Sequence, residues 1–465
     1  MITSSPTIFA CDDPSLSEGR PNIRIGVVTD IHITHTPSDP TGPWKDWGDS
    51  LTFEKTLRYF NDQLVDVVVI AGDLTDNGLT EQLEAVASTW FRVFPNNRAS
   101  DGRIVEKVFV GGNHDWEGFI YGRMGERAHP NESERAKHIL RNDYEGHWRR
   151  IFHEEFAPIY KKNIKGYLFI GQHWMNEAEH QGENARCALL GGFMAELAEL
   201  EKSRPFFYVQ HPHPRNTCYG PWAWGHDDGS TTRILSRYPN AIVFSGHSHY
   251  PITDERFIWQ GAFTSIAAGS LRYSCVPKEE YAKGVFSEEL PKWEDRETTR
   301  CGLVISVYDT YLLLQRMDFC ANKKLGSDLV MPLPAAESGP FDIQRRKSKS
   351  VPPEFRPGAE LRMERAEVVD KDGKVHEVVR VHIPAALAGA SRPYAYEVSV
   401  RGEDGGVCNK IYAASGYDRA FESEVVRAET VCTLPVEKLP RGRLLVFVAP
   451  IDCFQNKGSA LEGRL

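Results

Sequence analysis

The sequence has little of what would hold a secreted scaffold or a membrane protein together. Its nine cysteines, at positions 11, 187, 218, 275, 301, 320, 408, 432 and 453, show no Cys-x-x-Cys spacing. An odd number cannot all pair within one chain, so reduced and mostly buried thiols in a reducing compartment are the expectation. No run approaches the ~20 consecutive apolar residues of a membrane span. The first twenty residues, MITSSPTIFACDDPSLSEGR, lack the basic start and the apolar stretch of a secretory signal. Taken as a native start they point to a soluble, cytoplasmic protein; a trimmed export signal would make it an exported one. An excess of basic charge is missing too: 55 Lys and Arg stand against 64 Asp and Glu, a formal net charge of -9. That argues against a general polyanion-binding surface, and no nucleic-acid partner is expected. Neither half shows an internal repeat, which removes the solenoid and propeller architectures.

What is present is a soluble globular composition, 41% hydrophobic and 26% charged. At 465 residues the chain is too long for one ordinary core, and two domains are the natural expectation. After an irregular, proline-interrupted lead-in over residues 1–21, a series of short apolar runs reads as buried strands. The first, IRIGVV, ends in Asp30-Ile31-His32; the next, VDVVVIA, ends in Gly72-Asp73. A strand over 105–110 ends in Gly111-Gly112-Asn113-His114-Asp115, and one over 206–209 ends in Gln210-His211-Pro212-His213. The run Ile242-Val243-Phe244 ends in Gly246-His247-Ser248-His249. Helical apolar spacing over 53–64 and 80–94 separates the first three strands. Any one of these strand ends would be an ordinary polar loop. Together they place carboxylates, imidazoles and an amide at the carboxyl ends of strands that parallel pairing sets side by side, where α/β proteins build their sites.

Other stretches carry weaker signals. The loop from Thr34 to Ser50, with Trp44 and Trp47, lies close after the first strand end, and its tryptophans read as pins to the body, with stacking on a ligand as the alternative. The mixed-charge segment 119–165 reads as solvated helical faces, with Tyr121 and Arg123 near enough in sequence to reach the site. Arg272, just past a strand-like stretch, reads as a surface arginine, with a place facing substrate phosphate as the alternative.

With these residues on the page, the chain resembles the calcineurin-like metallophosphoesterases, whose five motifs occur in order over about residues 23–275. The resemblance implies a four-layer αββα sandwich of two mixed sheets and a centre of two divalent metal ions. It implies one ion held by Asp30, His32 and His249, the other by Asn113, His211 and His247, with Asp73 as the bridge. His213 competes with His211, and the family pattern of a ligand directly after the strand and before a proline favours His211. A hydroxide held between the ions would attack phosphorus, with His114 as acid or charge stabiliser at the leaving oxygen and Asp115 orienting its ring. Imidazole and carboxylate donors accept manganese, iron, zinc or nickel, so the metals stay open. The Ser/Thr protein phosphatases of this superfamily carry an arginine where this chain has Asn77, and purple acid phosphatases a tyrosine where it has Asp76. The wording Gly72-Asp73-Leu74-Thr75-Asp76-Asn77-Gly78 is most similar to the cyclic-nucleotide and glycerophosphodiester phosphodiesterases. The function implied is hydrolysis of small phosphodiesters; the alternatives are a phosphomonoesterase of the same fold or a non-catalytic metal-binding scaffold.

The catalytic domain is expected over 22–322, its second sheet finished by strands over 302–307 and 311–315. Residues 323–357, rich in Pro, Ser and charge, have the composition of a linker. From 358 to 465, short alternating strands with Gly and Asp turns suggest a smaller C-terminal β-sandwich domain, a packing or homo-oligomerisation module that carries no catalytic motif.

Overall fold

The computed structural model describes residues 19–33, 50–121, 138–175, 183–195, 204–221, 223–274, 300–334, 339–369, 373–386, 393–414 and 429–465. Trp44, Trp47 and Arg123 lie outside the described residues.

The first unit alternates strand and helix: β1 (Ile23–Val28), α1 (Ser50–Asp62), β2 (Val67–Ala71), α2 (Thr80–Val93) and β3 (Glu106–Val110). The β-branched run of β2 is buried throughout, as a strand covered on both faces must be. Phe53, Leu57 and Phe60 repeat at helical spacing on α1 and are buried together with Thr56. β1 pairs with β2, and β2 with β3, all parallel. Directly after β3 come α3 (Asn113–Tyr121) and then α4 (Tyr144–Phe152). Asp143 caps α4 by accepting from the Gly146 N–H at 3.1 Å.

A second unit follows: β4 (Ile159–Ile164), β5 (Tyr167–Gln172), α5 (Glu183–Ala195), β6 (Phe206–Val209), α6 (Ser230–Leu235), β7 (Ala241–Ser245), β8 (Ile258–Gln260) and β9 (Thr264–Ala267). Its six-stranded sheet has the order β4-β5-β6-β7-β9-β8. β5, β6, β7 and β9 are parallel, with antiparallel strands at both edges.

The strands β10 (Cys301–Val307), β11 (Tyr311–Asp318), β12 (Lys323–Lys324) and β13 (Leu329–Pro332) return to the first sheet, whose order is β12-β11-β10-β1-β2-β3 with β13 on β11. This corrects the expectation that residues 302–307 and 311–315 finish the second sheet. With β2 on one side, β1 has an edge of unpaired N–H and C=O groups, and the wholly buried β10 fills it antiparallel. The same strands change the picture of residues 323–357. Leu325, Leu329 and Met331 are buried there, and α7 (Ile343–Lys349) buries Arg346, so much of a stretch with linker composition is packed structure.

Two mixed sheets lie face to face between two helical layers, the four-layer α/β sandwich. The inner faces meet through Ile25, Val27, Val69 and Val108 on one side and Phe169, Phe207, Ile242 and Phe244 on the other. Val68, Ile70 and Phe109 turn outward against Phe53 and Phe60 of α1, Val86 and Trp90 of α2 and Trp148 of α4. Ile170, Tyr208 and Val243 turn outward against Leu190 and Met194 of α5 and Ile234 and Leu235 of α6.

The C-terminal region is antiparallel β throughout: β14 (Arg362–Val369), β15 (Val375–Pro384), β16 (Ala395–Gly402), β17 (Val407–Ala413), β18 (Glu429–Pro435), β19 (Leu444–Ile451) and β20 (Leu461–Arg464). Sheets β14-β15-β18 and β17-β16-β19-β20 enclose a core of Val379, Val381, Val398, Val400, Val446 and Val448. Among the described residues no helix is long and apolar enough to cross a membrane.

Candidate metal centre

The carboxyl ends of β1, β2, β3, β6 and β7 converge, and the strand geometry continues just far enough past each to hold its polar residues in register. Beyond the last paired residue of β1, the N–H groups of Asp30 and His32 donate to the carbonyls of Gly72 and Asp73, both at 3.0 Å. From the other sheet, the Gly246 N–H donates to the His211 carbonyl at 2.8 Å.

Asp30, His32, Asp73, His247 and His249 all have left-handed backbones, with φ of 51°, 49°, 50°, 71° and 55°. For non-glycine residues this conformation costs free energy and persists only where the surroundings over-determine it, a pattern typical of functional sites. Two glycines make the crowding possible. A Cβ on Gly72, itself at φ 99°, would stand 2.1 Å from His211 Nδ1, and one on Gly112 would stand 2.2 Å from Asp73 Oδ1.

Each buried carboxylate has one oxygen tied to the chain and one turned to the imidazoles. Asp30 Oδ2 accepts from the Thr29 hydroxyl at 2.9 Å and the His247 N–H at 3.0 Å. Its Oδ1 is buried, accepts no hydrogen bond among the described residues and lies 3.0 Å from His249 Nε2. Asp73 Oδ1 accepts from the His114 N–H at 2.8 Å, while Oδ2 lies 3.4 Å from His32 Nε2 and 3.1 Å from His211 Nε2. Asn113 Oδ1 is 3.1 Å from His211 Nε2, and His247 Nδ1 is 3.2 Å from the same nitrogen.

Three imidazoles have Nδ1 occupied and Nε2 turned inward. His211 Nδ1 donates to the Ala71 carbonyl at 2.8 Å, and His32 Nδ1 meets Asp76 Oδ1 at 3.1 Å. His249 Nδ1 meets the Tyr273 carbonyl and the Ser270 hydroxyl, both at 3.2 Å. Holding one ring nitrogen on an acceptor leaves the other as a lone-pair donor, the way proteins orient metal-ligating histidines.

Three donor sets result, each within 4.8 Å: Asp30 with His32, Asp73 and His249, then Asp73 with His211 and His247, and third His32 with Asp76 and His114. Asp73 belongs to the first two. Burial raises the pKa of Asp30 and Asp73, but the neighbouring imidazoles outweigh it and hold both carboxyls well below the usual range. Burial and then the nearby His211 push His247 down to about 3. Burial opposes charge on His211 as well, yet Asp73 outweighs it and lifts the ring to about 9. Two buried anions thus draw positive charge to their midst, the demand that a cation meets. An orphaned buried oxygen, anionic carboxylates and inward lone pairs are what divalent ions require.

Residues 23–251 match the family model of the calcineurin-like phosphoesterases. The chain carries a calcineurin-like phosphoesterase domain. Solved structures similar to this chain include a dimetal phosphatase from Danio rerio, at 13% identity over 67% of this chain and 98% of that one, TM-score 0.36. A purple acid phosphatase from yellow lupin matches at 14% identity over 67% and 54%, TM-score 0.38. A zinc-complexed Vps29 from Entamoeba histolytica matches at 10% identity over 67% and 99%, TM-score 0.29. No curated protein matches the chain.

Around the candidate metal centre the structure revises several roles. Asp115 does not orient His114. Both its oxygens are taken up by the neighbouring loops: Oδ1 accepts from the Thr75 N–H and hydroxyl at 2.8 Å, Oδ2 from Gly112 at 2.7 Å and Leu74 at 3.1 Å. The His114 ring is set instead by Nδ1 against the Asp76 carbonyl at 2.7 Å. The first turn of α3 carries Asp115 inward between the loops that follow β2 and β3, because its buried carboxylate finds three donors in the one and a fourth, Gly112, in the other.

Asp76, read in the sequence only as a departure from a tyrosine ligand, is a hub that touches His32 and His114 and pairs with Arg272. That pairing corrects the surface reading of Arg272, whose side chain is only 11% exposed. His213 is no rival to His211, because its ring nitrogens meet the hydroxyls of Ser245 at 2.8 Å and Ser248 at 2.7 Å. Sequence reasoning missed the aromatic rim: Trp174 against His247 at 5.7 Å, Trp224 stacked on His247 at 4.4 Å and Tyr273 against His249 at 4.3 Å. For Trp174 a signal existed, since it stands just past the carboxyl end of β5.

Proposed function

We propose that this domain hydrolyses small phosphodiesters with two divalent metal ions, one held by Asp30, His32 and His249, the other by Asn113, His211 and His247, with Asp73 shared. The observation that carries the reading is Asp73 Oδ2, placed between His32 Nε2 at 3.4 Å and His211 Nε2 at 3.1 Å while Asp30 Oδ1 lies buried without a hydrogen bond among the described residues. Bound there, divalent ions supply Lewis acidity to phosphoryl oxygens and lower the pKa of coordinated water.

The chain's own residues do the rest. Strained strand ends preorganise the donors, so little reorganisation is left for the reaction. His114, with Nδ1 on the Asp76 carbonyl and its ring edge-on to His32 at 4.5 Å, stands beside the centre as the group that delivers a proton to the departing oxygen. Asp115 acts as a positioning residue that ties the loops after β2 and β3 together.

The diester preference rests on motif wording and on two positions. Asn77, where a protein phosphatase arginine would stand, is engaged in reciprocal bonds with Gln82 at 2.9 and 3.0 Å. Asp76, where a purple acid phosphatase tyrosine would stand, is committed to His32 and Arg272.

The test compares phosphomonoesters, cyclic nucleotides and glycerophosphodiesters with manganese added, for the wild type and Asp73→Asn. Diester turnover in the wild type and its near-complete loss in the folded variant are expected. Unchanged turnover in Asp73→Asn would sink the two-metal reading.

A further inference from the structure

The loop between β6 and α6 sets a tryptophan on the rim of the centre. The Trp224 indole stacks on the ring of His247, with centroids 4.4 Å apart and planes inclined by 28°, yet it remains 48% exposed. Its loop is well anchored. The carbonyl of Gly225, at φ 91°, accepts from the His213 N–H at 2.8 Å, and a Cβ on Gly225 would stand 3.0 Å from Ser248 Cβ. The next residue, His226, meets the Cys218 carbonyl through Nε2 at 2.9 Å.

A large apolar ring held in water by a rigid loop forgoes burial that the hydrophobic effect would reward. Two more rings frame the same two histidines. Trp174 lies 5.7 Å from His247 at 38°, and Tyr273 lies 4.3 Å from His249 at 31°. Both are half-buried, so Trp224 is the most open of these three rings to an incoming molecule. The opening of the centre is therefore edged by flat aromatic surfaces, whereas a site for a small aliphatic ester needs only polar anchors at its phosphate.

We propose that Trp224 is a specificity-determining residue that stacks on a planar ring carried by the ester's alcohol, so that the site favours aryl or heteroaryl phosphoesters over aliphatic ones. The inference rests on the metal-dependent phosphoesterase reading and deepens it. Stacking on an aromatic side chain tolerates any flat ring, because every such ring presents a π-face. Cutting Trp224 back removes the platform without removing a donor.

The test is binding, read by titration calorimetry on the manganese-loaded full chain with phenylphosphonate and with butylphosphonate. The wild type should bind the phenyl compound about tenfold or more tightly than the butyl one, in line with the measured worth of aromatic stacking. Trp224→Ala should lose that preference with its metal content, followed by elemental analysis, unchanged, and Trp224→Phe should restore most of it. No preference in the wild type, or a preference kept in Trp224→Ala, would overturn the inference. So would loss of metal in Trp224→Ala, since the ring would then serve only to shield His247. Turnover of a chromogenic phosphodiester is followed in parallel. Its absence in a wild type that keeps the ring preference would count against the hydrolase reading and for Trp224 as a binding residue.

Discussion

Asp76 shows how much of the centre is decided one bond away from the donors. Its Oδ1 meets His32 Nδ1 at 3.1 Å and its carbonyl meets His114 Nδ1 at 2.7 Å, while Arg272 neutralises its carboxylate. A carboxylate behind a metal-ligating imidazole fixes the tautomer and raises its basicity, and losing such a partner typically costs about 10- to 100-fold in metal affinity. Asp76→Asn should weaken metal binding by about that factor while the fold stays intact, as read by metal titration and circular dichroism. Wild-type affinity in the variant would mean that Asp76 serves only to seat Arg272. Gly112 makes a complementary point about space. Its missing side chain leaves room for Asp73, and a methyl there would stand 2.2 Å from Oδ1 and 2.5 Å from the Asp73 nitrogen. Gly112→Ala should displace the shared carboxylate and lower kcat about 100-fold, the scale on which an ångström of misplacement acts. Steady-state kinetics beside metal analysis would check it.

Among the elements, the strand ends do the organising, and β5 contributes more than its sequence suggests. Just past it, His173 is 4% exposed, accepts from the Gly111 N–H at Nδ1 at 2.9 Å and is packed among Trp148, Phe156, Tyr160 and Tyr144. Burial pushes its pKa from 6.5 down to about 3. The unfolded chain therefore takes up a proton at this residue as pH falls through 6.5, while the folded chain stays neutral until about 3. Its share of stability is complete above the upper value and drains away towards the lower one. His173→Asn, which keeps an acceptor for Gly111, should flatten the acid limb of the Tm-against-pH profile within that window and destabilise the protein at neutral pH by removing aromatic packing. An acid limb of unchanged slope would show that His173 titrates as freely in the folded chain as in the unfolded one.

At the scale of the whole molecule, two sheets packed face to face turn the carboxyl ends of their parallel strands to the same side, and the donors come from both. β1, β2 and β3 bring Asp30, His32, Asp73 and Asn113, while β6 and β7 bring His211, His247 and His249. A ligand that bridges the sheets binds the folded chain and not the unfolded one, so it stabilises by about 2.7 kcal/mol at a hundredfold excess over Kd. Stripping metal with a chelator should lower Tm by several degrees, and adding manganese back should restore it, as followed by calorimetry. A Tm indifferent to both would argue against resident ions at the sheet junction. The C-terminal region is joined to this body through charged contacts packed on rings. Arg346 of α7 engages Glu255 and lies over Phe341 and Phe454, at 5.7 and 5.2 Å from their centroids, and Arg256 lies 4.8 Å over Tyr394.

The sequence by itself determined which strands are buried and which polar residues stand at their ends, because both are local: apolar β-branched runs make buried strands, and a strand's tip is wherever its run stops. Parallel pairing then implied that the polar strand ends lie side by side, the family resemblance singled out Asp30, His32, Asp73, Asn113, His211, His247 and His249 among them, and in the structure these side chains lie close together. Tertiary structure alone decided the rest, because it concerns partners remote along the chain. The His247 N–H reaches Asp30 across 217 residues, and Arg272 reaches Asp76 across 196. The family resemblance implied that Asp115 serves the His114 ring, but α3 turns successive side chains to different sides, and Asp115 finds its donors in the loops after β2 and β3. The pairing of β10 with β1 and the aromatic rim above the histidines were equally beyond local reading. Which edge a strand fills, and which ring faces which, is settled by the packing of the whole.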